Sequence, residues 1–396
     1  PDEWGDEVGY ADSLAWAADH GADVISCSWG PPDGYWSDDP LPLAMSAALD
    51  RATGTGRGGR GTVILWAAGN GNEPVDLDGF ASDERVIAVG ATDDRDRKSS
   101  YSDFGSALSV CAPGGDTLSD RAGIVTTDLS GSVGYTHNNY TPDFGGTSAA
   151  APIAAGVAAL VLSANPDLKW SQVKDLLEQT ADRIDATSSF TDARGRSHPA
   201  RYEGGRSLCY GHGRLNAGAA VRRADELREE SRRQRPARGG SRRPSGRSAR
   251  GEGRDRSQAG RAARESKRPG LEAFFYRGGK KVPLRRVPSR SARSARVPVA
   301  AGGEAYVPVG GDPACALVPT GQIVVQFARG IDRRRIEREL ASRGAGIVRA
   351  LDYLPNGFLV RARPGEGEAL RLANELHELP TVIAAEPNWL RRTSRR

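Results

Sequence analysis

The chain has 396 residues, enough for two or three compact units each with a core of its own, and its apolar fraction of 38% is that of ordinary globular protein. No run of apolar residues approaches the 18 that a membrane span needs, and Pro1 to Asp6 is acidic where a secretory leader would be basic, so neither a span nor a signal peptide is expected. The formal charge of +5 hides an asymmetry: residues 231–269 hold fourteen Arg or Lys against three Asp or Glu, net +11, which leaves −6 on everything else. A charge run confined to one Arg, Ser, Gly and Pro tract points away from a folded nucleic-acid-binding face.

From Val8 to Leu227 helix-like and strand-like segments alternate, which predicts a parallel sheet covered by helices. Ala11 to His20 has helical spacing and stops at Gly21; Ala22 to Ser26 then reads as a buried strand. Leu41 to Ala52 is helix-like, Thr62 to Ala68 strand-like, and Val86 to Gly90 and Leu108 to Ala112 are further apolar strands. Thr147 to Ala164 (TSAAAPIAAGVAALVLSA) is apolar nearly all round, which predicts a helix buried at the centre of its domain, with Pro152 tolerated in the first turn. Trp170 to Thr180 and Ala217 to Leu227 read as amphipathic helices. Cys27 and Cys111 fall in strand-like runs, as buried free thiols would; with Cys209 and Cys315, two disulfides are the alternative.

The chain thus divides into an α/β unit over 1–225, an Arg-rich linker over 226–270, an extended, strand-rich lead-in over 271–318 with a Gly-Gly turn, and a last unit over 319–390. The last unit has the order β-α-β-β-α-β, which suits a small ferredoxin-like α+β domain. That fold serves many purposes and does not by itself indicate one.

The sharpest chemical signal is Gly145-Gly146-Thr147-Ser148-Ala149-Ala150-Ala151-Pro152, a serine where a glycine-rich loop turns into the apolar helix. Glycines allow close approach of a substrate, and free amide hydrogens with the positive dipole end favour developing negative charge. A plain helix cap is the alternative for Ser148. Asn70, in the run Ala67-Ala68-Gly69-Asn70, is by its own chemistry a turn residue. A partly buried core aromatic is the alternative reading of Trp29.

These blocks, GGTSAAAP, DVISCSWGP (Asp23 to Pro31) and AAGN, occur in the order and at spacings that resemble the subtilisin-like serine proteases, especially the kexin-like branch; NPDLKW after the helix is similar too. The resemblance covers about residues 8–225 and implies a subtilisin-like parallel sheet flanked by helices, here incomplete. It implies Ser148 as nucleophile, the Asn70 side-chain amide with the Ser148 backbone N–H as oxyanion donors, and Ser28, Trp29 and Gly30 as the strand that pairs with an extended peptide substrate. Asp33 and Asp78 lie near the places where that branch carries acids for Arg or Lys before the scissile bond, though solvated loop carboxylates are the plain reading. Asp103 with Asp33 and Asp76 would be oxygen ligands of a structural calcium; the chemistry itself requires no cofactor.

The family order is Asp, His, Ser, yet none of His20, His137, His198, His212 and His377 stands in the family's histidine setting. The expectation is therefore a fragment or a rearranged order, nearly inert as it stands, with a pseudoprotease that binds peptides as the alternative. The unit at 319–390, closing with Ala384-Ala385-Glu386-Pro387-Asn388-Trp389, resembles the prodomain of these proteases, a folding chaperone and inhibitor, with a plain interaction module as alternative. The expected partners are a polypeptide substrate cut after basic residues and an intramolecular or adjacent prodomain, with no nucleic acid and no membrane; the resemblance favours a secreted protein. A tether role for the Arg tract toward nucleic acid or an acidic surface is the third reading.

Overall fold

The computed structural model describes residues 3–34, 39–234, 273–277, 280–287, 304–309, 312, 315–365 and 367–395. The expected linker and the Gly-Gly turn at 278–279 lie largely or wholly outside these residues.

The first unit contains β1 (Glu3–Asp6), α1 (Glu7–Asp19), β2 (Val24–Cys27), β3 (Trp29–Gly30), α2 (Leu43–Gly59), β4 (Val63–Ala67), β5 (Ile87–Thr92) and β6 (Val110–Pro113). These are followed by β7 (Ile124–Thr127), β8 (Tyr140–Phe144), α3 (Thr147–Ala164), α4 (Trp170–Gln179), β9 (Ser189–Thr191), β10 (Ser197–Pro199) and α5 (Ala217–Gln234). The strands β2, β4, β5 and β6 lie side by side in that order, all parallel. The central strands β4 and β5 are buried along their whole length because both faces are covered. Ile64 and Trp66 of β4 face the layer of α1 and α2, while Val63, Leu65 and Ala67 face α3, α4 and α5. The alternation of side chains along a strand divides one run between two cores.

The helix α3 begins and ends at the predicted residues and packs on all four parallel strands. The expectation of burial all round is corrected: Pro152, Ile153, Gly156, Ala159 and Leu160 form an exposed stripe at helical spacing. Its length and hydropathy would suffice for a bilayer, but half of it is buried in this fold. Pro152 is also not in the first turn. As the sixth residue, it lacks the N–H that would reach the Ser148 carbonyl, and that carbonyl accepts from Ser28 Oγ at 3.1 Å instead.

The helix α5 continues to Gln234, so the start of the expected linker at 226 is helical. Ala220 and Ala224 seat it on the core, and Arg223 pairs with Glu226 and Glu230 along its surface.

The C-terminal part contains β11 (Ala273–Arg277), β12 (Lys280–Arg286), β13 (Tyr306–Pro308), β14 (Leu317–Phe327), α6 (Arg333–Ser342), β15 (Gly346–Ala350), β16 (Gly357–Arg361), α7 (Glu368–His377) and β17 (Val382–Arg395). The predicted β-α-β-β-α-β order holds over β14 to β17, with β17, β14, β16 and β15 adjacent and antiparallel. The two helices cover one face around Ile336, Leu340, Leu372 and Leu376.

The segment expected as a separate lead-in is part of this sheet: β13, β12 and β11 extend it beyond β14. The first strand of the chain joins it too, as β1 pairs antiparallel with β17 from Glu3↔Thr393 to Asp6↔Leu390. All four cysteines are free thiols, with Cys27, Cys111 and Cys209 buried; burial pushes the Cys27 thiol up to about 12.

Candidate active site

Ser148 is the second residue of α3, entered through Gly146 at φ 99°, a backbone angle that suits glycine. Its Oγ lies 3.5 Å from the carbonyl of Ser28, the residue between β2 and β3. The helix start therefore meets the carboxyl ends of the parallel strands, where open α/β sheets bind their ligands.

Asn70 lies beside it in the loop after β4. Its Oδ1 accepts from the Thr147 backbone N–H at 2.9 Å and from Thr147 Oγ1 at 3.0 Å. A main-chain N–H can only donate, so the side-chain oxygen must face Thr147 and the Nδ2 donor must point the other way. Thr147 Oγ1 in turn lies 3.2 Å from the Gly69 N–H, which ties both sides of the loop to the start of α3.

The loop is braced from behind. Asn72 donates through Nδ2 to the Thr191 carbonyl at 2.9 Å, and its own carbonyl accepts from Ala193 N, so the β9–β10 hairpin holds it. Within the hairpin, Asp192 accepts from His198 Nε2 at 2.8 Å and from Arg196 Nε at 2.8 Å. Burial opposes ionisation of Asp192, but the hydrogen bonds from His198 and from the Arg196 side chain and backbone win and hold its pKa well below the usual carboxylate range. Lys98 Nζ bonds Asn72 Oδ1 at 2.8 Å, and burial pulls its ammonium down to about 8.

Carboxylate oxygens of Asp33, Glu73 and Asp103 all lie within 4.8 Å of one another. Asp103 Oδ1 accepts from Gly71 N at 2.8 Å and Glu73 N at 3.1 Å, and Glu73 Oε1 accepts from Gly34 N at 2.8 Å. A β-carbon on Gly69, at φ 119°, would stand 2.1 Å from the Asp103 carboxylate and 2.9 Å from that of Asp33. Only glycine fits between Asn70 and the acids. Asp76 does not belong to this group: its carboxylate takes the Ser106 N–H at 2.9 Å and the Ser106 hydroxyl, and Glu73 stands in its place.

Asp78 is buried and accepts from Phe80 N at 2.8 Å; its charge, with those of Asp39 and Glu7, surrounds the Arg391 guanidinium. The two acids expected near one pocket are therefore divided, Asp33 with Glu73 and Asp103, and Asp78 with Arg391.

Trp29 is a partly buried aromatic, as one of its sequence readings has it. Its ring packs on Tyr10 and Trp66 with centroids 4.7 Å away in each case. Its backbone, with that of Gly30, pairs antiparallel with β17 as Trp29↔Arg395 and Gly30↔Ser394. An extended segment of the chain itself thus runs along the strand beside Ser148.

Among the described residues no histidine is hydrogen-bonded to Ser148. His20 bonds Trp16 O, His198 bonds Asp192, His212 faces Ser109 O and Glu178, His377 stacks on Tyr276, and His137 is exposed.

A serine at the start of a core helix, beside an amide side chain oriented by that helix and a short strand that β17 covers, is an arrangement of the kind serine hydrolases use. Residues 4–221 match the profile of the subtilase family, and the chain belongs to that family. It is 50% identical over 230 residues to the calcium-dependent protease of Nostoc sp., covering 53% of this chain and 33% of that protein. It is 34% identical over 208 residues to neuroendocrine convertase 2 of Rattus norvegicus, covering 52% of this chain and 31% of that one. A solved protease structure from Pseudoalteromonas arctica matches at 30% identity with a TM-score of 0.42, covering 55% of this chain and 58% of that one. The chain spans about a third of the length of the two curated relatives.

Proposed function

We propose that Ser148 is the nucleophile of a serine endopeptidase that passes through an acyl-enzyme, with Asn70 Nδ2 and the Ser148 backbone N–H receiving the oxyanion. The supporting observation is the pair of hydrogen bonds from Thr147 to Asn70 Oδ1, which turns the Nδ2 donor away from Thr147 and leaves it available to a substrate oxygen. The general base comes from outside the described residues. The experiment compares peptide hydrolysis by the full-length protein with that of its Ser148→Ala variant; equal rates refute the assignment.

The substrate is an extended polypeptide that adds a strand to Trp29–Gly30, the position that β17 takes in this chain. Asp39 and Asp78, which face the Arg391 guanidinium of β17 in this chain, together with the likeness to a convertase, favour cleavage after basic residues. On this reading the C-terminal unit is an intramolecular, prodomain-like inhibitor that holds the cleft with its own strand.

The trio Asp33, Glu73 and Asp103 fits a calcium ion: three carboxylates converge, offer only oxygen, and would repel one another without a cation. Bound calcium would neutralise that repulsion and fix the Asn70 loop through the Gly71 and Glu73 amides. The resemblance to a protein named as calcium-dependent supports this assignment.

A second reading, a pseudoprotease that binds peptides without cutting them, is favoured by the lack of a histidine partner for Ser148 among the described residues. It requires equal peptide affinity and no turnover in both the full-length protein and Ser148→Ala.

A further inference from the structure

The contact between the two units is centred on charges. Arg277, the last residue of β11, has a side chain only 1% exposed. Its Nη2 reaches Glu7 Oε1 at 2.8 Å and Oε2 at 3.0 Å, and its Nη1 reaches the Pro40 carbonyl at 3.2 Å. Asp39 and Glu386 stand 3.9 and 3.6 Å from the same guanidinium. Arg391 is also buried; it lies 2.5 Å from Asp39 and 3.6 Å from Glu7 and covers the ring of Phe80. Glu386 Oε2 accepts from Leu43 N at 3.0 Å, so a carboxylate of the C-terminal unit caps the first turn of α2 in the peptidase unit.

We propose that β11 to β13 form a docking clamp between the two units, and that Arg277 is the positioning residue that ties this hairpin to the peptidase unit. On one side, Phe275 packs on Trp389 with centroids 5.3 Å apart, in a cluster with Leu284, Tyr306 and Leu317, which fixes the hairpin to the C-terminal sheet by apolar contact. On the other side, the hydrogen bonds from Arg277 Nη2 to both carboxylate oxygens of Glu7 fix it to the start of α1. The hairpin lies at the opposite end of the sheet path from β1, so its backbone pairing is distinct from that of β17 with β1 and β3, although Arg277 shares Glu7 and Asp39 with Arg391 of β17.

The charges explain why Arg277 dominates. Three carboxylates, of Glu7, Asp39 and Glu386, meet two guanidinium groups away from water. Burial raises the Glu7 carboxyl above its usual range even against Arg277 and Arg391. Taking Arg277 away leaves an uncompensated set of acids, and loss of one member of a buried pair is far more damaging than loss of an exposed one. The clamp would keep the C-terminal unit beside the cleft after its terminal strand has withdrawn. Only this consequence rests on the inhibitor reading above.

The test uses the full chain with Ser148→Ala, which prevents self-cleavage, and a site-specific endoprotease sequence inserted after Arg250. After cutting, sedimentation measures the affinity of the two pieces. The pieces of the parent are expected to stay together, and Arg277→Met to weaken their affinity at least about 100-fold. Arg277→Lys should fall between them, and Arg371→Met, which removes only the surface pairs with Glu368 and Glu375, should match the parent. Glu7→Gln keeps the shape of its site and should weaken association as well, while the double variant should be no weaker than Arg277→Met alone. Parent-like affinity in Arg277→Met, or fully additive effects, would overturn the clamp. If Arg277→Met fails to fold by circular dichroism, parent-like affinity in Glu7→Gln does so.

Discussion

Thr147 sits between the two residues that matter most, and its two hydrogen bonds to Asn70 Oδ1 make a specific demand on mutants. Asn70→Ala removes the donor itself, and the turnover of the full-length protein is expected to drop about 100- to 1000-fold, the loss seen when a subtilisin is deprived of its own donor, with KM little changed. Thr147→Val keeps the backbone bond and deletes only the hydroxyl. That hydroxyl donates to Asn70 Oδ1 and accepts from the Gly69 N–H, and at about 1 kcal/mol for each hydrogen bond a loss of roughly 30-fold in kcat is expected, again with KM little changed. Steady-state kinetics on one peptide substrate checks both; a Thr147→Val as damaging as Asn70→Ala would mean that Thr147 does more than orient the amide.

At the scale of elements, the parallel strands and α3 were legible because each is a local pattern: a run, a period, a stop signal. Glu73 was not legible. It sits in a turn-rich loop, and the residues it meets, Asp33 and Asp103, lie 40 and 30 positions away, so only the folded loops bring them together. Asp76 is three residues on and chemically identical in kind, yet the backbone turns it to Ser106. In the same way, the Gly-Gly hairpin could be read from sequence, but its place in the C-terminal sheet is set by contacts with β14 and Trp389. Glu73→Gln is expected to abolish the calcium-dependent rise in Tm of the parent, which at one hundred times Kd reflects about 2.7 kcal/mol of added stability, while leaving Tm in a chelator equal or higher. Thermal scans with and without calcium decide it; an undiminished calcium shift in Glu73→Gln places the ion elsewhere. The β9–β10 hairpin offers a pH test. Asp192 has a folded pKa below its unfolded one, so the stability it contributes is present above about pH 4, the usual aspartate value, and is lost as pH falls toward the folded pKa. Asp192→Asn should therefore lower Tm at pH 7 and converge with the parent in acid; a constant difference at all pH values would deny the linkage.

At the scale of the whole molecule, the two units share one continuous sheet edge: β1 and β3 of the peptidase unit both pair with β17. A strand placed this way competes directly with any peptide that uses Trp29–Gly30, because the same backbone donors and acceptors cannot serve two partners. The competition is intramolecular, so even a weak strand is present at an effective concentration in the millimolar range. Deleting residues 391–396 removes the pairing with β3, all of that with β1 except Asp6↔Leu390, and Arg391 itself, whereas substituting Arg277 loosens the dock and leaves the terminal strand intact. The deletion is accordingly expected to raise the affinity of the full-length Ser148→Ala protein for an extended dibasic peptide by at least about 10-fold, read by fluorescence anisotropy of the labelled peptide. Adding a synthetic peptide of sequence Leu390 to Arg396 in trans should then displace the probe from the deletion variant and scarcely from the parent, whose own strand already fills the site. If the deletion leaves peptide affinity unchanged, the strand at Trp29–Gly30 is a packing contact and the C-terminal unit does not gate the cleft.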